Sequence, residues 1–258
     1  MSMLLYRISI NHLLLAAVAV TLVVSGCATS EKNREEADLH LRLGTSLLAQ
    51  GSYPSALREL LTAEKLDPEN EVTQNNLGLA YFLRDKYELA EQHLARALKL
   101  KPSYSEARNN YGRVLIETGR HEQAIAELEK VTNDLTYQDP AKAWINLGMA
   151  YFRKNDFKSA KTKFSEAIRA DRGNCLAHTY FGRTQLELGD AGDAARSLDN
   201  AVRICKPGKF DEAHYFSGLS YYKLGRTSDA VARMEEVKKI NPDGPYAQKA
   251  DSLLKLMK

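Results

Sequence analysis

The sequence predicts an all-α fold of six helix-turn-helix repeats and one closing helix, and three observations predict it. Glycine returns at Gly44, Gly78, Gly112, Gly148, Gly182 and Gly218, at intervals of 34, 34, 36, 34 and 36 residues. Around these glycines apolar side chains keep helical spacing; Trp144, Leu147 and Tyr151 form an i, i+3, i+7 stripe along one face. Helix breakers stand between the apolar stretches: Gln50-Gly51-Ser52, Thr118-Gly119-Arg120 and Leu188-Gly189-Asp190 inside repeats, and Pro68, Pro102 and Pro242 at their ends. A hairpin of this size cannot bury its apolar faces alone, so neighbouring hairpins must stack.

The repeats run 37–70, 71–104, 105–140, 141–174, 175–210 and 211–244. In each, the first helix carries the glycine and the second carries an alanine, in order Ala56, Ala90, Ala124, Ala160, Ala194 and Ala230. Small residues where two helices cross let the axes approach the lower part of the usual range of about 8 to 10 Å. The first two repeats close on Pro68 and Pro102. The third is two residues longer, through LTYQDPAKAW (Leu135 to Trp144), and the fourth breaks at Gly173 because Arg172 stands where proline is expected. The fifth opens on Cys175 and the sixth closes on Pro242. Pro245 to Lys258 reads as a terminal helix whose stripe of Tyr246, Ala250, Leu253, Leu254 and Met257 covers the face the last hairpin would leave open.

WINLGMAY, Trp144 to Tyr151, matches the pattern W-x-x-L-G-x-x-Y, and Ala160 and Phe164 fall at the expected later positions. On these residues the chain from 37 to 244 resembles the tetratricopeptide repeat family. The resemblance implies an α-solenoid, a superhelix whose first helices line a concave protein-binding surface.

The N-terminus is of a different kind. One charged residue, Arg7, precedes an apolar run from Leu13 to Val24, which ends at Val24-Ser25-Gly26-Cys27 and gives way to the polar ATSEKNREE. The run is too short to cross a bilayer, which takes roughly 20 residues. A positive start, a short apolar middle and small residues at a boundary make a secretory signal peptide, 1–26. The four residues at its end resemble a bacterial lipobox, which implies that Cys27 carries diacylglycerol and palmitate and heads the mature chain; Ala28 after it implies an outer-membrane, periplasm-facing destination. The alternative is an ordinary signal peptide cut near Ser25 that leaves Cys27 a free thiol. Residues 27–36 then form the lipidated N-terminus and linker, and the nine residues Ala28 to Glu36, fully extended, reach no more than about 30 Å.

Composition and motifs exclude several functions. Losing Arg7 with the signal peptide lowers the formal net charge from +3 to +2, which argues against a nucleic-acid partner. The densest basic stretch, Arg153 to Lys163, is spread around helix faces. No phosphate-binding loop, G-x-S-x-G, H-E-x-x-H or zinc-ribbon cysteine pairing occurs, so no catalytic residue, cofactor, metal or small-molecule substrate is expected. Cys175, His178, Cys205 and His214 make the one candidate metal cluster, but both histidines fall at the position of Trp144 and read as core residues. With Cys27 acylated, an oxidising periplasm favours a Cys175–Cys205 disulfide, since the start of one helix and the end of its hairpin partner lie at the same end. Two separately buried thiols are the alternative.

The remaining candidate is the face shared by positions two, five, nine and twelve of the first helices. In repeats two to four it offers Val72, Asn75, Leu79, Phe82, Asn109, Arg113, Ile116, Ile145, Met149 and Phe152, beside Glu106 and Lys142. Repeats five and six continue it with Leu176, Thr179, Arg183, Leu186, Glu212, Tyr215, Leu219 and Tyr222. The mixed but substantially apolar set suits an internal amphipathic segment, with Asn76, Asn109 and Arg113 giving only part of a carboxylate clamp. The lipobox, short linker, six repeats, the NNYG of Asn109 to Gly112 and the lengthened third repeat together resemble the outer-membrane lipoproteins of type IV pilus assembly, the PilF, PilW and Tgl group. That resemblance implies a pilotin, a tethered chaperone that binds the secretin subunit and promotes its multimerisation. An envelope adaptor for peptidoglycan enzymes, an outer-membrane-protein assembly factor and an enzyme without a visible site are the other readings.

Overall fold

The computed structural model describes residues 31–205 and 210–257, which hold thirteen helices and no strand. The expected signal peptide, 1–26, and Cys27 lie outside these residues. The chain divides into two compact units, one ending at Tyr104 and the other beginning at Ser105.

The first unit holds α1 (31–49), α2 (Tyr53–Leu66), α3 (Glu71–Phe82) and α4 (Tyr87–Leu100). Residues 31–36, expected in the linker, are already helical; Glu, Lys and Arg are good helix formers, and no breaker separates them from the repeat. Helix α3 starts sharply because the Asn70 side chain accepts hydrogen bonds from the backbone N–H groups of Val72 and Thr73, at 3.0 and 2.9 Å. A core of Leu57, Leu60, Ala63, Leu77 and Ala80 joins α2 to α3. Leu77 is wholly buried, whereas Leu43, its counterpart in α1, is 50% exposed because no earlier hairpin covers it among the described residues.

The second unit holds α5 (Ser105–Glu117), α6 (His121–Thr132), α7 (Pro140–Arg153), α8 (Phe157–Ala170), α9 (Cys175–Glu187), α10 (Ala191–Ile204), α11 (Asp211–Lys223), α12 (Thr227–Ile240) and α13 (Pro245–Leu256). Each first helix packs on its own second helix, and each second helix packs on the next first helix. The first helices also touch one another, α5 to α7 to α9 to α11 to α13, so they form one continuous layer. The recurring glycine makes this possible. A Cβ added at Gly148 would stand 2.7 Å from the Phe164 ring, a distance no real Cβ tolerates. The hairpin turns need a left-handed residue, supplied by Gly119, Gly189 and Gly225 and, between α7 and α8, by Asn155 at φ 65°.

Candidate protein-interaction surface

In the first unit, Val72 and Leu79 are half-buried against the α2–α3 core, and Phe82 lies 5.8 Å from the Tyr87 ring. Asn75 is not presented to a ligand. It is 3% exposed and donates to Asn76 Oδ1 at 3.0 Å, and Asn76 donates in turn to Thr45 Oγ1 at 2.8 Å. These asparagines tie α3 to α1.

In the second unit, the layer begins with a polar stretch on α5 and α7. Lys142 Nζ donates to Glu106 at 2.6 Å, and the Tyr137 hydroxyl donates to the same carboxylate at 2.7 Å. Burial works against the Glu106 charge, but Lys142, Tyr137 and Asn110 outweigh it and hold the carboxyl below its ordinary value. Asn146 donates to Asn109 Oδ1 at 2.9 Å. Asn109, Ile116 and Ile145 are buried, so together with Asn75 four of the ten residues expected to line a groove support the helices instead. Arg113, Met149 and Phe152 are half-buried and keep an accessible edge.

Farther along the layer the character changes to rings around a cation. The Arg183 guanidinium carbon lies 4.3 Å from the Phe216 ring centre, 4.5 Å from Tyr180 and 5.1 Å from Phe152. Its Nη1 donates to Glu212, which also accepts the Tyr246 hydroxyl at 2.8 Å. Burial, followed by the Glu212 charge, raises the pKa of Tyr180 and Tyr246 above that of an ordinary phenol. Tyr215 and Phe216 extend the rings edge-to-face, and both meet Tyr246 on α13. Leu176 on α9 and Tyr222 on α11 are 40% and 38% exposed. Thr179 and Leu186 are buried, while Leu219 is half-buried.

Reading positions two, five, nine and twelve found Phe152, Arg183, Glu212 and Tyr215 of this cluster but missed Tyr180 and Phe216, which occupy position six. The glycine triplets did carry a signal: Asn76, Asn110 and Asn146 stand two residues before their glycines, and Tyr180 and Phe216 replace asparagine there. Aromatic residues and arginine are the side chains that most often anchor protein interfaces.

The two cysteines meet at the base of the fifth hairpin, where Cys175 opens α9 and Cys205 follows α10. The structure joins them, with Cα atoms 4.9 Å apart. His178 is buried and bonds Arg172 O at 3.0 Å, and His214 is half-buried with Nδ1 unpartnered. Among the described residues no group of three His, Cys, Asp or Glu is arranged to hold a metal ion. No helix there is long and apolar enough to cross a membrane.

Stacked helical hairpins with one continuous layer of first helices and a ring-lined surface define a repeat protein of the interaction class. The chain belongs to the tetratricopeptide repeat family, which matches it over residues 28–71, 41–105 and 179–245, with further matches over 81–141 and 141–174. No curated relative matches it. Among solved structures it is similar to PilF of Pseudomonas aeruginosa, at a TM-score of 0.72 and 19% identity over 86% of this chain and 99% of that one. It is similar also to PilW, described as a widely conserved type IV pilus biogenesis factor, at 0.74 and 22% over 83% and 97%. A tetratricopeptide repeat protein of Thermus thermophilus aligns at 0.61 and 20% over 72% and 99%.

Proposed function

We propose that this chain is an outer-membrane lipoprotein that acts as a pilotin in type IV pilus biogenesis, binding a secretin subunit and promoting its assembly without catalysing a reaction. The observation that carries the reading is a likeness to PilF and PilW that spans nearly the whole of each. The lipobox at Cys27 supports it from an independent part of the sequence. Tethering confines chaperone and subunit to one surface and so raises their effective concentration, which favours multimers with no turnover. Partner anchors are Leu79 and Phe82 on the first helices of the first unit and, separately, Met149, Phe152 and the rings around Arg183 on those of the second.

The test is a deletion strain complemented with wild type or Cys27→Ala. Wild type restores secretin multimers in the outer membrane. The variant is recovered outside that membrane, because an acylated cysteine supplies most of the membrane affinity, and multimers fall with it. Recovery of Cys27→Ala in the outer membrane at wild-type levels would falsify the lipoprotein reading. A deletion strain with normal secretin multimers would remove the pilotin reading.

A further inference from the structure

The third repeat owes its extra length to residues 133–139, between α6 and α7, a turn in which Tyr137 is half-buried. Leu135 at its tip is 98% exposed, against 73% for the next most exposed leucine described, Leu256. Yet the turn around it is firmly held. The Asp134 carboxylate accepts hydrogen bonds from the Thr136 N–H at 2.9 Å, the Thr136 hydroxyl at 2.6 Å and the Ser105 hydroxyl of α5. The Tyr137 N–H donates to Asp134 O at 3.1 Å, and the Tyr137 hydroxyl reaches Glu106. Two residues of α5 thus anchor a loop whose only large aliphatic side chain points away from everything.

A leucine fully in water gains nothing from folding, so the hydrogen bonds that order the turn hold Leu135 in place without burying it. What they provide is a preformed apolar projection whose conformational entropy has already been spent, which lowers the cost of docking. The turn itself is negative: residues 133–139 hold two aspartates and no lysine or arginine. Glu129, Asp134 and Asp139 flank the turn, and the hydrogen bonds they accept come from uncharged groups: the Tyr151 hydroxyl, the donors named above and the Lys142 backbone N–H.

We propose that the 133–139 turn is a docking knob: Leu135 enters an apolar socket on a folded protein partner whose rim carries lysine or arginine facing Asp134, Asp139 and Glu129. This rests on the chain being an interaction protein, not on the partner being a secretin.

The test places a photoreactive benzoylphenylalanine at position 135 of the full-length chain in cells, with the same group at the exposed Gln138 as control. The expected result is one protein adduct from position 135, absent from 138, whose cross-linked peptide lies beside lysine or arginine residues. Glu129→Gln combined with Asp139→Asn keeps the cap of α7 but removes two charges, and should lower the yield about tenfold. Circular dichroism checks that each variant is folded. Equal labelling from both positions, no adduct, an adduct to lipid or to a second copy of the chain, or a yield indifferent to the charges overturns the proposal. A basic-rimmed partner that is not a secretin supports the knob and counts against the pilotin reading.

Discussion

The two ends of the first-helix layer in the second unit are built on the same backbone and stabilised differently. On α5 and α7 the side chains between neighbouring helices are asparagines and an ion pair, and Lys142 and Glu106 each remain 33% exposed. On α9, α11 and α13 the corresponding space is filled by rings, and Arg183 and Glu212 are only 17% and 19% exposed. Repeat geometry therefore does not dictate the chemistry of the layer. It offers a fixed spacing of sites, and the choice of asparagine or aromatic at position six decides whether two helices are joined by hydrogen bonds or by dispersion and cation–π contact. The ring-lined end is the drier and more costly to disturb.

The largest difference should appear on opening the Cys175–Cys205 bridge, which closes a separation of 30 residues at the ring-lined end. In the chain-entropy model a loop of this size stabilises by about 3 to 4 kcal/mol. Cys205→Ser, or reductant added to wild type, should lower the melting temperature of the second unit. An unchanged melt, or two free thiols in protein purified without reductant, would show that the bridge does not form.

Next in size is the contrast between the ion pairs. Arg183→Met leaves Glu212 nearly dry without its cation and should cost about 3 kcal/mol. Lys142→Met at the polar end should cost about 1 kcal/mol or less, because its partner keeps water. Urea denaturation of the two variants measures both. Equal losses would erase the distinction between the two ends.

The smallest effect concerns acid. Glu106 is depressed below its ordinary value of 4.5, so its contribution to stability is complete above that value and is lost as pH falls through the lower folded one. Wild type should therefore lose stability faster than Glu106→Gln as pH drops below about 4.5. Parallel pH profiles for the two proteins would show that the Lys142 and Tyr137 hydrogen bonds do not favour the charged carboxylate.

The hairpins were legible because glycine, alanine and proline act locally. Gly148 must be small wherever it meets Phe164, and Pro242 stops a helix whatever surrounds it. The surface was less legible because burial depends on what lies across from a residue. Position five holds Ile145 and Asn109 alike in the sequence pattern, and only the packed neighbours put both out of a ligand's reach. Leu79 and Phe152 are half-buried, so replacing them by Glu disturbs packing as well as binding. Arg183 and Phe152 were in the expected stripe, but Tyr180 and Phe216 came from position six and Tyr246 from α13, which a single-face reading does not combine.

Every pair of packed helices in the second unit joins neighbours in the chain or next-but-one neighbours. Such low contact order closes small loops first, and helical proteins of this kind fold in microseconds to milliseconds. Under the export proposed above, a chain that emerges as an extended thread can assemble hairpin by hairpin, each repeat docking on the one already formed. Cys175 and Cys205 belong to a single hairpin, so the two thiols meet once α9 and α10 pair, before α11 to α13 need be in place. The geometry of the bridge therefore depends on the fifth hairpin alone, whatever stage the rest of the array has reached.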